Sequence, residues 1–468
     1  MNTLLADFDE NERAFVKVVA TYGVFDLFHE GHVNLLRRAK ALGDYLIVGV
    51  TTNHFDEIRG KLNTTDSYAV RYQAVVDSGF ADEVIPEEYL GQKIDDVKAR
   101  GIDVMVFGSD WIGHFDYLQS MCEVVYLPRT QGISSTALRN ERCPEVRLGI
   151  AGTGRIARRF ITEAAGIGGK QLVGVYNPNA EHVQTFARES GLPQAFDNYD
   201  RFLDEVDAVY VASPHQSHYE QAKSALLDGK HVLCEKPLAF SRAQAEELFE
   251  LARERGLILL EAVKTAYCPG FEELVNVVRS GAIGEVRDVE AAFTRLTPPG
   301  VRERDDACFG GSFLEFGSYG LLPAVRLLGA ERVKRMTARF YTQRDEEGVD
   351  LFTKAMLFDE NAAVLAKTGL GVKTEGELLV SGTEGYILAP APWWLTSRFE
   401  VHNEDPDDVQ VHEVAFLGSG LRYEISNFIH LVRGDDDRYP KLTAEESIAM
   451  AGVFERYLEG SAAFRERI

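Results

Sequence analysis

Apolar runs that alternate with amphipathic stretches organise the first third of the chain. Residues 15–20 and 45–51 are short apolar runs that predict buried strands. Between them, residues 33–42 carry apolar side chains at helical spacing, and Gly43 is expected to end that helix as a C′ glycine. The same pattern predicts helices at 71–77 and 92–100 and strands at 102–108 and 123–127. Such alternation predicts a parallel sheet with helices on both faces.

A second alternation of strands and helices starts at residue 146 and gives way to a strand-rich region. Strands are predicted at 146–151, 171–176, 208–214 and 231–234, and later at 286–293, 333–341, 353–358, 362–368, 377–382 and 409–415. Amphipathic helices at 421–433 and 444–458 are expected to close the core. The pattern predicts two α/β domains and an α+β domain with a large, mostly antiparallel sheet, at residues 1–142, 145–265 and 266–468.

Composition narrows the class of protein. An apolar fraction of 45% and a charged fraction of 26% are typical of a globular protein. The net charge of −23 argues against nucleic acid and anionic membranes as partners. No apolar run approaches the roughly 18 residues of a membrane span, the start of the chain lacks a basic region, and the cysteines have no metal-site spacing. We therefore expect a cytoplasmic protein with reduced thiols and without its own metal site.

Two histidines stand where the first predicted strand turns into the first helix. They are His29 and His32, at the end of the stretch A-T-Y-G-V-F-D-L-F-H-E-G-H. The free N–H groups and dipole of a helix N-terminus attract phosphate, and imidazoles there can stabilise the charge that develops in phosphoryl transfer. The alternative is that they are two unrelated histidines on a solvated turn.

Further motifs follow in order: Arg71, then V-F-G-S-D-W at 106–111, then L-P-R-T-Q-G-I-S-S-T at 127–136. With H-x-G-H, they make residues 16–140 resemble glycerol-3-phosphate cytidylyltransferases of the nucleotidyltransferase superfamily. The resemblance implies a Rossmann-like domain that binds CTP, with Mg²⁺ held through the triphosphate. It implies catalytic roles for His29, His32, Lys61 and Arg129. It implies contacts to CTP from Tyr22, Gly23, Phe25, Arg59, Arg71, Asp110, Trp111, Ser134, Ser135 and Thr136.

Simpler interpretations of these residues stay open. Arg59 and Lys61 fit a solvated basic loop, Trp111 fits a core position, and residues 134–136 fit a helix cap.

A glycine-rich motif, G-T-G-R-I-A, follows the strand predicted at 146–151 and precedes a helix. This is the G-x-G-x-x-A setting of a dinucleotide site, in which the helix N-terminus receives the pyrophosphate. The next strand leads to Asn177, where an NAD enzyme usually places an Asp or Glu on the ribose 2′-hydroxyl. The missing carboxylate favours NADP over NAD.

Three later segments complete a second resemblance. They are the polar turn with His215 and His218, E-K-P at 235–237, and G-G-S-F-L-E-F-G-S-Y at 310–319. From residue 146 onward the chain resembles the glucose–fructose oxidoreductase, inositol dehydrogenase and rhizopine-catabolism family. The resemblance implies a Rossmann NAD(P)-binding domain, a substrate-binding domain and a homo-oligomer. It implies catalytic roles for Lys236, for Glu315 in place of the usual Asp, and for Tyr319. It implies cofactor contacts from Gly152, Thr153, Gly154, Arg155, Ile156, Asn177, Ser213, Pro214, His215, His218, Glu235 and Pro237.

Lys264 lies in the segment E-A-V-K-T-A-Y-C-P at 261–269, which crosses into the last domain, and there it can bind a substrate phosphate; a structural ion pair is an equally open interpretation. Together the two halves predict a bifunctional enzyme. It reduces a sugar phosphate with NAD(P)H and then joins the polyol phosphate to CTP, giving a CDP-polyol such as CDP-glycerol or CDP-ribitol for teichoic-acid or capsule synthesis. In one alternative the oxidoreductase acts on the CDP-linked product. In another it is a non-catalytic cofactor-binding module that regulates the transferase.

Overall fold

The computed structural model describes residues 16–58, 64, 66–89, 91–113, 115–128, 145–434 and 440–465. These residues form two compact units, one ending at Glu145 and one starting at Val146. The boundary predicted between 265 and 266 lies inside the second unit and stays a prediction. In the described part of the chain, no helix has the length and apolar character needed to cross a membrane.

The first unit is built on a parallel sheet whose strand order is β3-β2-β1-β4-β5. Its strands are β1 (Val18–Gly23), β2 (Tyr45–Thr51), β3 (Glu83–Glu87), β4 (Val104–Gly108) and β5 (Glu123–Leu127). Its helices are α1 (Glu30–Lys40), α2 (Asn53–Ile58), α3 (Tyr68–Asp77) and α4 (Gln92–Arg100), with 3₁₀ turns at Ser109–Trp111 and Asp116–Ser120. The strand order reverses between β1 and β4, so the ligand crevice is expected beyond their carboxyl ends.

Gly43 does not have the predicted role as a C′ glycine. Helix α1 ends at Lys40 with Ala41 as its C-cap, and Gly43 does not have a positive φ angle. A Cβ atom at Gly43 would lie 2.5 Å from the Lys17 carbonyl oxygen. The glycine is therefore needed for close approach to the start of β1.

The second unit begins with a parallel sheet of order β11-β10-β9-β6-β7-β8. The strands are β6 (Val146–Ala151), β7 (Lys170–Tyr176), β8 (Gln194–Phe196), β9 (Ala208–Val211), β10 (His231–Glu235) and β11 (Leu259–Ala262). The helices between them are α5 (Arg155–Ala164), α6 (Ala180–Ser190), α7 (Tyr199–Leu203), α8 (His218–Leu227) and α9 (Arg242–Glu254), with 3₁₀ turns at His215–Ser217 and Lys264–Tyr267. The order reverses between β6 and β9, which is where a dinucleotide is expected.

An eight-stranded sheet of order β13-β14-β15-β12-β16-β17-β18-β19 follows. Its strands are β12 (Val286–Thr294), β13 (Thr337–Arg344), β14 (Asp350–Phe358), β15 (Ala363–Gly369), β16 (Leu378–Gly382), β17 (Gly385–Ala389), β18 (Arg398–Asn403) and β19 (Val409–Glu413). Only β12 and β15 pair in parallel within this sheet, which confirms the predicted mostly antiparallel architecture. The accompanying helices are α10 (Pro269–Arg279), α11 (Arg302–Asp305), α12 (Ser312–Leu327), α13 (Ala330–Arg335), α14 (Leu421–Val432) and α15 (Ala444–Arg465), with a 3₁₀ turn at Trp393–Leu395.

Two details of this region differ from the sequence prediction. The strand predicted at 333–341 begins only at Thr337, because Gly329 has a φ of 88° and opens the short helix α13. Strands β17 and β18 were not predicted. They complete the sheet between β16 and β19.

Candidate active sites

The turn that follows β1 has a strained backbone that is held by two aspartates. Phe25 and Leu27 have positive φ angles of 54° and 48°, which are uncommon for residues other than glycine. The Asp66 backbone N–H donates to the Asp26 carboxylate at 2.9 Å, and the Leu27 N–H donates to the Asp66 carboxylate at 3.0 Å. This reciprocal pair fixes the path of the chain into helix α1.

His29 and His32 form the N-terminal cap of helix α1. His29 Nδ1 accepts the Gly31 backbone N–H at 3.0 Å, and His32 Nδ1 accepts the His29 backbone N–H at 3.4 Å. The two rings stack with centroids 4.0 Å apart. Because each Nδ1 is an acceptor, each neutral ring carries its proton on Nε2 and can donate from that nitrogen.

Gly31 is required by this arrangement. A Cβ atom there would lie 2.8 Å from His29 Cε1 and 2.9 Å from His29 Nδ1. The H-x-G-H spacing therefore follows from the cap geometry.

Arg71 was predicted to contact CTP, but its side chain is fully buried. Its guanidinium donates to the carbonyl oxygens of Val24 at 2.7 Å and Thr51 at 2.8 Å, and to that of Asp66 at 3.0 Å. It therefore supports the turn before His29 from behind, and direct contact with a nucleotide would require it to move.

Tyr22 and Phe25 are also core residues, 8% and 2% exposed. Tyr22 donates to Asp96 at 2.7 Å, and the Phe25 ring packs edge-on against His32 at 5.4 Å. Their side chains, like that of Arg71, are buried, and their contacts to CTP stay a prediction. Trp111 is 50% exposed in the 3₁₀ turn after β4, and Gly23 is the last residue of β1, the strand next to β4. Both residues therefore stay candidates for the ligand crevice at the carboxyl ends of these two strands.

The other residues predicted for the transferase site lie outside the described part of the chain: Arg59, Lys61, Arg129, Ser134, Ser135 and Thr136, together with the side chain of Asp110. Among the described residues, no group of His, Cys, Asp and Glu side chains is arranged to hold a metal ion. Mg²⁺ bound through CTP stays a prediction.

The glycine-rich turn in the second unit is shaped for a phosphate. Gly152 has a φ of 126°, and a Cβ atom there would lie 2.4 Å from the Ala212 carbonyl oxygen, so only glycine allows β6 and β9 to meet so closely. Gly154 is the N-cap of α5 and offers no side-chain cap, and open space surrounds the position of its absent Cβ. The first N–H groups of α5 are therefore available to a pyrophosphate. Asn177 donates to Thr153 Oγ1 at 2.8 Å across the mouth of this turn.

A cavity of about 1480 Å³ extends from this turn to the eight-stranded sheet. It is lined by the predicted catalytic residues Lys236, Glu315 and Tyr319, by Lys264, and by every predicted cofactor residue except Pro237. Pro237 follows a cis peptide bond after Lys236. The structure thus brings the sequence-predicted residues of the second unit around one space.

Glu315 is the centre of the charged groups in the cavity. Its carboxylate lies 3.7 Å from Lys236 Nζ, 3.5 Å from His215 Nε2 and 3.7 Å from Arg302 Nη2. Lys236 Nζ also donates to the Glu315 carbonyl oxygen at 2.8 Å. Burial lowers the pKa of His215 well below its ordinary value, and the positive charge of Lys236 adds to this, so His215 is neutral near pH 7.

Tyr319 lies one helical turn after Glu315 on α12 and packs against the Phe293 ring at 4.8 Å. Burial raises the pKa of Tyr319 well above its ordinary value, so its hydroxyl keeps its proton. Lys264 Nζ donates to the Ser419 carbonyl oxygen at 2.7 Å, and burial lowers its pKa. Tyr319 and Lys236 line the cavity together with Glu315, and each has a polar group that can donate a proton to a carbonyl oxygen.

His218 and Glu235 support the cavity wall. The ring nitrogens of His218 lie 2.9 Å from the carbonyl oxygens of Pro237 and Ser213, and burial lowers its pKa to about 4. The neutral ring, which can donate to only one of these at a time, ties together the turns after β9 and β10. Glu235 accepts the Tyr210 hydroxyl at 2.5 Å, and burial raises its pKa.

Sequence reasoning missed five charged residues that line the cavity: Arg159, Arg295, Arg302, Glu303 and Lys373. Arg302 and Glu303 belong to the charged run V-R-E-R-D-D, which by itself is typical of a solvated surface. Arg302 and Glu303 reach the cavity only because α11 packs against the start of α12.

The two sites define a nucleotidyltransferase joined to a dinucleotide-dependent oxidoreductase. Residues 20–141 match the cytidylyltransferase-like family, and residues 146–263 match the oxidoreductase family with an NAD-binding Rossmann fold. Residues 271–388 match the GFO/IDH/MocA C-terminal domain.

Relatives of each half match almost their full length. Glycerol-3-phosphate cytidylyltransferase of Bacillus subtilis is 48% identical over 126 residues, which are 27% of this chain and 97% of that protein. The scyllo-inositol 2-dehydrogenase (NADP(+)) IolU of the same species is 30% identical over 323 residues, covering 66% of this chain and 95% of that protein. The 3-ketoreductase KijD10 of Actinomadura kijaniata, solved with NADP and TDP-benzene, is 25% identical with a TM-score of 0.58, covering 66% of this chain and 96% of that one.

The chain therefore belongs to the cytidylyltransferase-like family in its N-terminal third and to the GFO/IDH/MocA oxidoreductase family in the remainder. It is a bifunctional enzyme with a cytidylyltransferase part and an NAD(P)-binding oxidoreductase part.

Proposed function

We propose that the oxidoreductase reduces a sugar phosphate with NADPH to a polyol phosphate. The cytidylyltransferase then joins this product to CTP, releasing pyrophosphate and forming a CDP-polyol for cell-surface polymer synthesis.

The observation that carries the first step is the charge of the cavity. Seven Lys and Arg side chains line it against three Glu side chains, in a chain whose net charge is −23. A local excess of cations inside an acidic protein is expected where strongly anionic ligands bind. NADPH and a phosphorylated substrate are both such ligands. Asn177, in place of an acidic residue, and the NADP-dependent relative support NADPH over NADH.

In this proposal bound NADPH supplies the hydride. Tyr319 or Lys236 donates the proton to the carbonyl oxygen, and Glu315 orients Lys236 through the contacts described above. Lys264 is the candidate for the substrate phosphate, because it is a buried cation that faces the cavity and has only a carbonyl oxygen as its hydrogen-bond partner among the described residues.

In the transferase, His29 and His32 donate from Nε2 to phosphate oxygens and stabilise the charge that develops as CTP loses pyrophosphate. The similarity to glycerol-3-phosphate cytidylyltransferases supports a polyol phosphate as the acceptor.

A second order of reactions is favoured by the solved structure of KijD10, which holds NADP together with TDP-benzene. This observation supports an oxidoreductase that acts on the CDP-linked product.

One experiment separates the two orders. The full chain is given a panel of ketose and aldose phosphates with NADPH, CTP and Mg²⁺, and products are identified by mass. We expect CDP-polyol, and pyrophosphate release that depends on NADPH when only the carbonyl compound is supplied. Supplying the polyol phosphate directly should remove that dependence. Pyrophosphate release from the carbonyl compound without NADPH, followed by reduction of the CDP-linked product, would establish the reverse order.

A further inference from the structure

Helix α11 connects the two ends of the oxidoreductase cavity through adjacent residues. Glu303 accepts Arg155 Nη2 at 3.1 Å, and Arg155 is the first residue of α5, at the phosphate end. Arg302 Nη2 lies 3.7 Å from the Glu315 carboxylate, at the catalytic end. Neighbouring side chains of one short helix therefore pair with opposite ends of the cavity.

The main chain of α11 is fixed to the start of α12, which carries Glu315. The Gly311 N–H donates to the Glu303 carbonyl oxygen at 2.9 Å, and the Gly310 N–H donates to that of Asp306 at 2.8 Å. A Cβ atom at Gly310 would lie 2.9 Å from the carbonyl oxygens of Arg302 and Glu303. The double glycine thus lets α11 pack directly on the segment that leads to Glu315.

The Arg155–Glu303 pair lies where the dinucleotide phosphates are expected. Arg155 adjoins N-cap Gly154, and its side chain is 59% exposed, whereas that of Glu303 is only 12% exposed. Glu303 also has Arg295 Nη2 at 4.0 Å, so it keeps a cationic neighbour when Arg155 turns away. An arginine beside a phosphate forms charge-assisted hydrogen bonds, and a carboxylate on the same guanidinium competes for them.

We propose that Glu303 is a latch that competes with the dinucleotide phosphates for Arg155, while Arg302 is a positioning residue that holds Glu315. Cofactor binding then releases Glu303 from Arg155. Glu303 lies on α11, the same short helix whose Arg302 positions the Glu315 carboxylate. This inference rests on the proposed dinucleotide-dependent reduction, and it concerns how that site is made ready.

The test is NADPH titration of the full chain, followed by nicotinamide fluorescence, with no substrate present. Glu303→Gln removes the competitor, so NADPH should bind about two- to fivefold more tightly, the range expected for losing a partly exposed ion pair. Arg155→Gln should bind NADPH more weakly. In the Arg155→Gln background, Glu303→Gln should give no further gain, because its effect acts through Arg155.

Glu189→Gln is the matched control. Glu189 pairs with Arg158 on the same helix α5 at 2.9 Å, so the variant removes one negative charge near α5 without touching Arg155. Its NADPH affinity should stay close to wild type. An equal gain in Glu189→Gln, a gain from Glu303→Gln that persists without Arg155, or no gain at all would overturn the latch.

The positioning role of Arg302 has its own readout. With a carbonyl that the wild type reduces, Arg302→Gln should lower kcat and leave NADPH affinity unchanged, and Arg302→Lys should recover part of kcat. A loss of NADPH affinity in Arg302→Gln would instead make Arg302 a cofactor ligand.

Failure of this inference can be told apart from failure of the proposed function. A wild-type chain that binds no NADPH would contradict the proposed function. A wild-type chain that binds NADPH, together with a Glu303→Gln variant of the same affinity, would contradict only this inference.

Discussion

At the scale of single residues, the histidine motif has a structural and a chemical part. His29 is the helix cap as well as a phosphate donor candidate, and the two roles use different ring nitrogens. Nδ1 accepts the Gly31 N–H, and the proposed contact to the nucleotide uses Nε2. Substitutions can therefore separate folding from chemistry at one position.

We predict that His29→Ala lowers cytidylyl transfer by roughly 2.7–4 kcal/mol of transition-state stabilisation, as for loss of one oxyanion donor. The alanine also removes the cap, which should cost about 0.5–2 kcal/mol of stability. His29→Asn restores a capping oxygen but not the Nε2 donor, so it should recover the melting temperature and not the activity. Pyrophosphate release and thermal denaturation measure the two effects. Transferase activity that returns with Asn would show that capping is the whole role of His29, and carbonyl reduction should survive in both variants.

Lys236 is the residue whose removal should separate cofactor binding from reduction. Its ammonium contacts Glu315 at both the carbonyl and the carboxylate, and it follows β10 at the cavity wall. We predict that Lys236→Met nearly abolishes carbonyl reduction while NADPH still binds, because the glycine-rich turn and the start of α5 are untouched. Steady-state rates and NADPH titration test this together. Normal turnover would exclude Lys236 from proton transfer, and Tyr319→Phe would then be the decisive variant.

At the scale of secondary-structure elements, local patterns predicted most of the sheet strands. Strands that are buried along their whole length, such as Tyr45–Thr51, are nearly continuous apolar runs in the sequence, so the pattern predicts them directly. The pattern missed β18 (Arg398–Asn403), where buried Phe399 and Val401 alternate with polar residues over only a few positions. For Arg71 the motif match predicts a contact to CTP, but it does not reveal that the guanidinium donates to the carbonyl oxygens of Val24 and Thr51.

Helix α14 carries a buried acid that no sequence pattern singled out. Glu424 is fully buried, and its two carboxylate oxygens have no hydrogen-bond partner among the described residues. Burial raises its pKa well above the ordinary value, and the nearby Glu235 carboxylate adds to this. The folded protein thus holds a proton there that the unfolded chain releases near pH 4.3, at about the ordinary pKa of Glu. This contribution to stability is complete below the unfolded pKa and is lost as pH rises towards the folded pKa.

We predict that Glu424→Gln removes this loss of stability with rising pH. In the wild type the free energy of unfolding should fall by up to about 1.4 kcal/mol per pH unit because of Glu424. The melting temperature of the variant minus that of the wild type should therefore increase from pH 5 to pH 8. Glu254→Gln, at an exposed position in α9, should keep the wild-type pH dependence. A Glu424→Gln protein with the wild-type slope would show that Glu424 is ionised in the folded state.

At the scale of the whole molecule, the chain divides into two compact units, each with its own sheets and its own candidate site. The first unit has its own five-stranded sheet with an apolar cluster on each face. Its relatives in bacteria are complete proteins of nearly the same extent, since 126 matched residues cover 97% of the Bacillus subtilis enzyme. The second unit holds both the Rossmann sheet and the eight-stranded sheet around its cavity.

We therefore predict that residues 1–145 and 146–468, produced as separate chains, each fold and keep their own reaction. The first should form CDP-polyol from CTP and a polyol phosphate, and the second should reduce the carbonyl compound with NADPH. An equimolar mixture should convert the carbonyl compound to CDP-polyol, because the intermediate can diffuse between the chains. The time course of the mixture against the full chain is the measurement. A longer lag in the mixture would show that fusion speeds transfer of the intermediate, whereas loss of either activity in its isolated chain would contradict independent units.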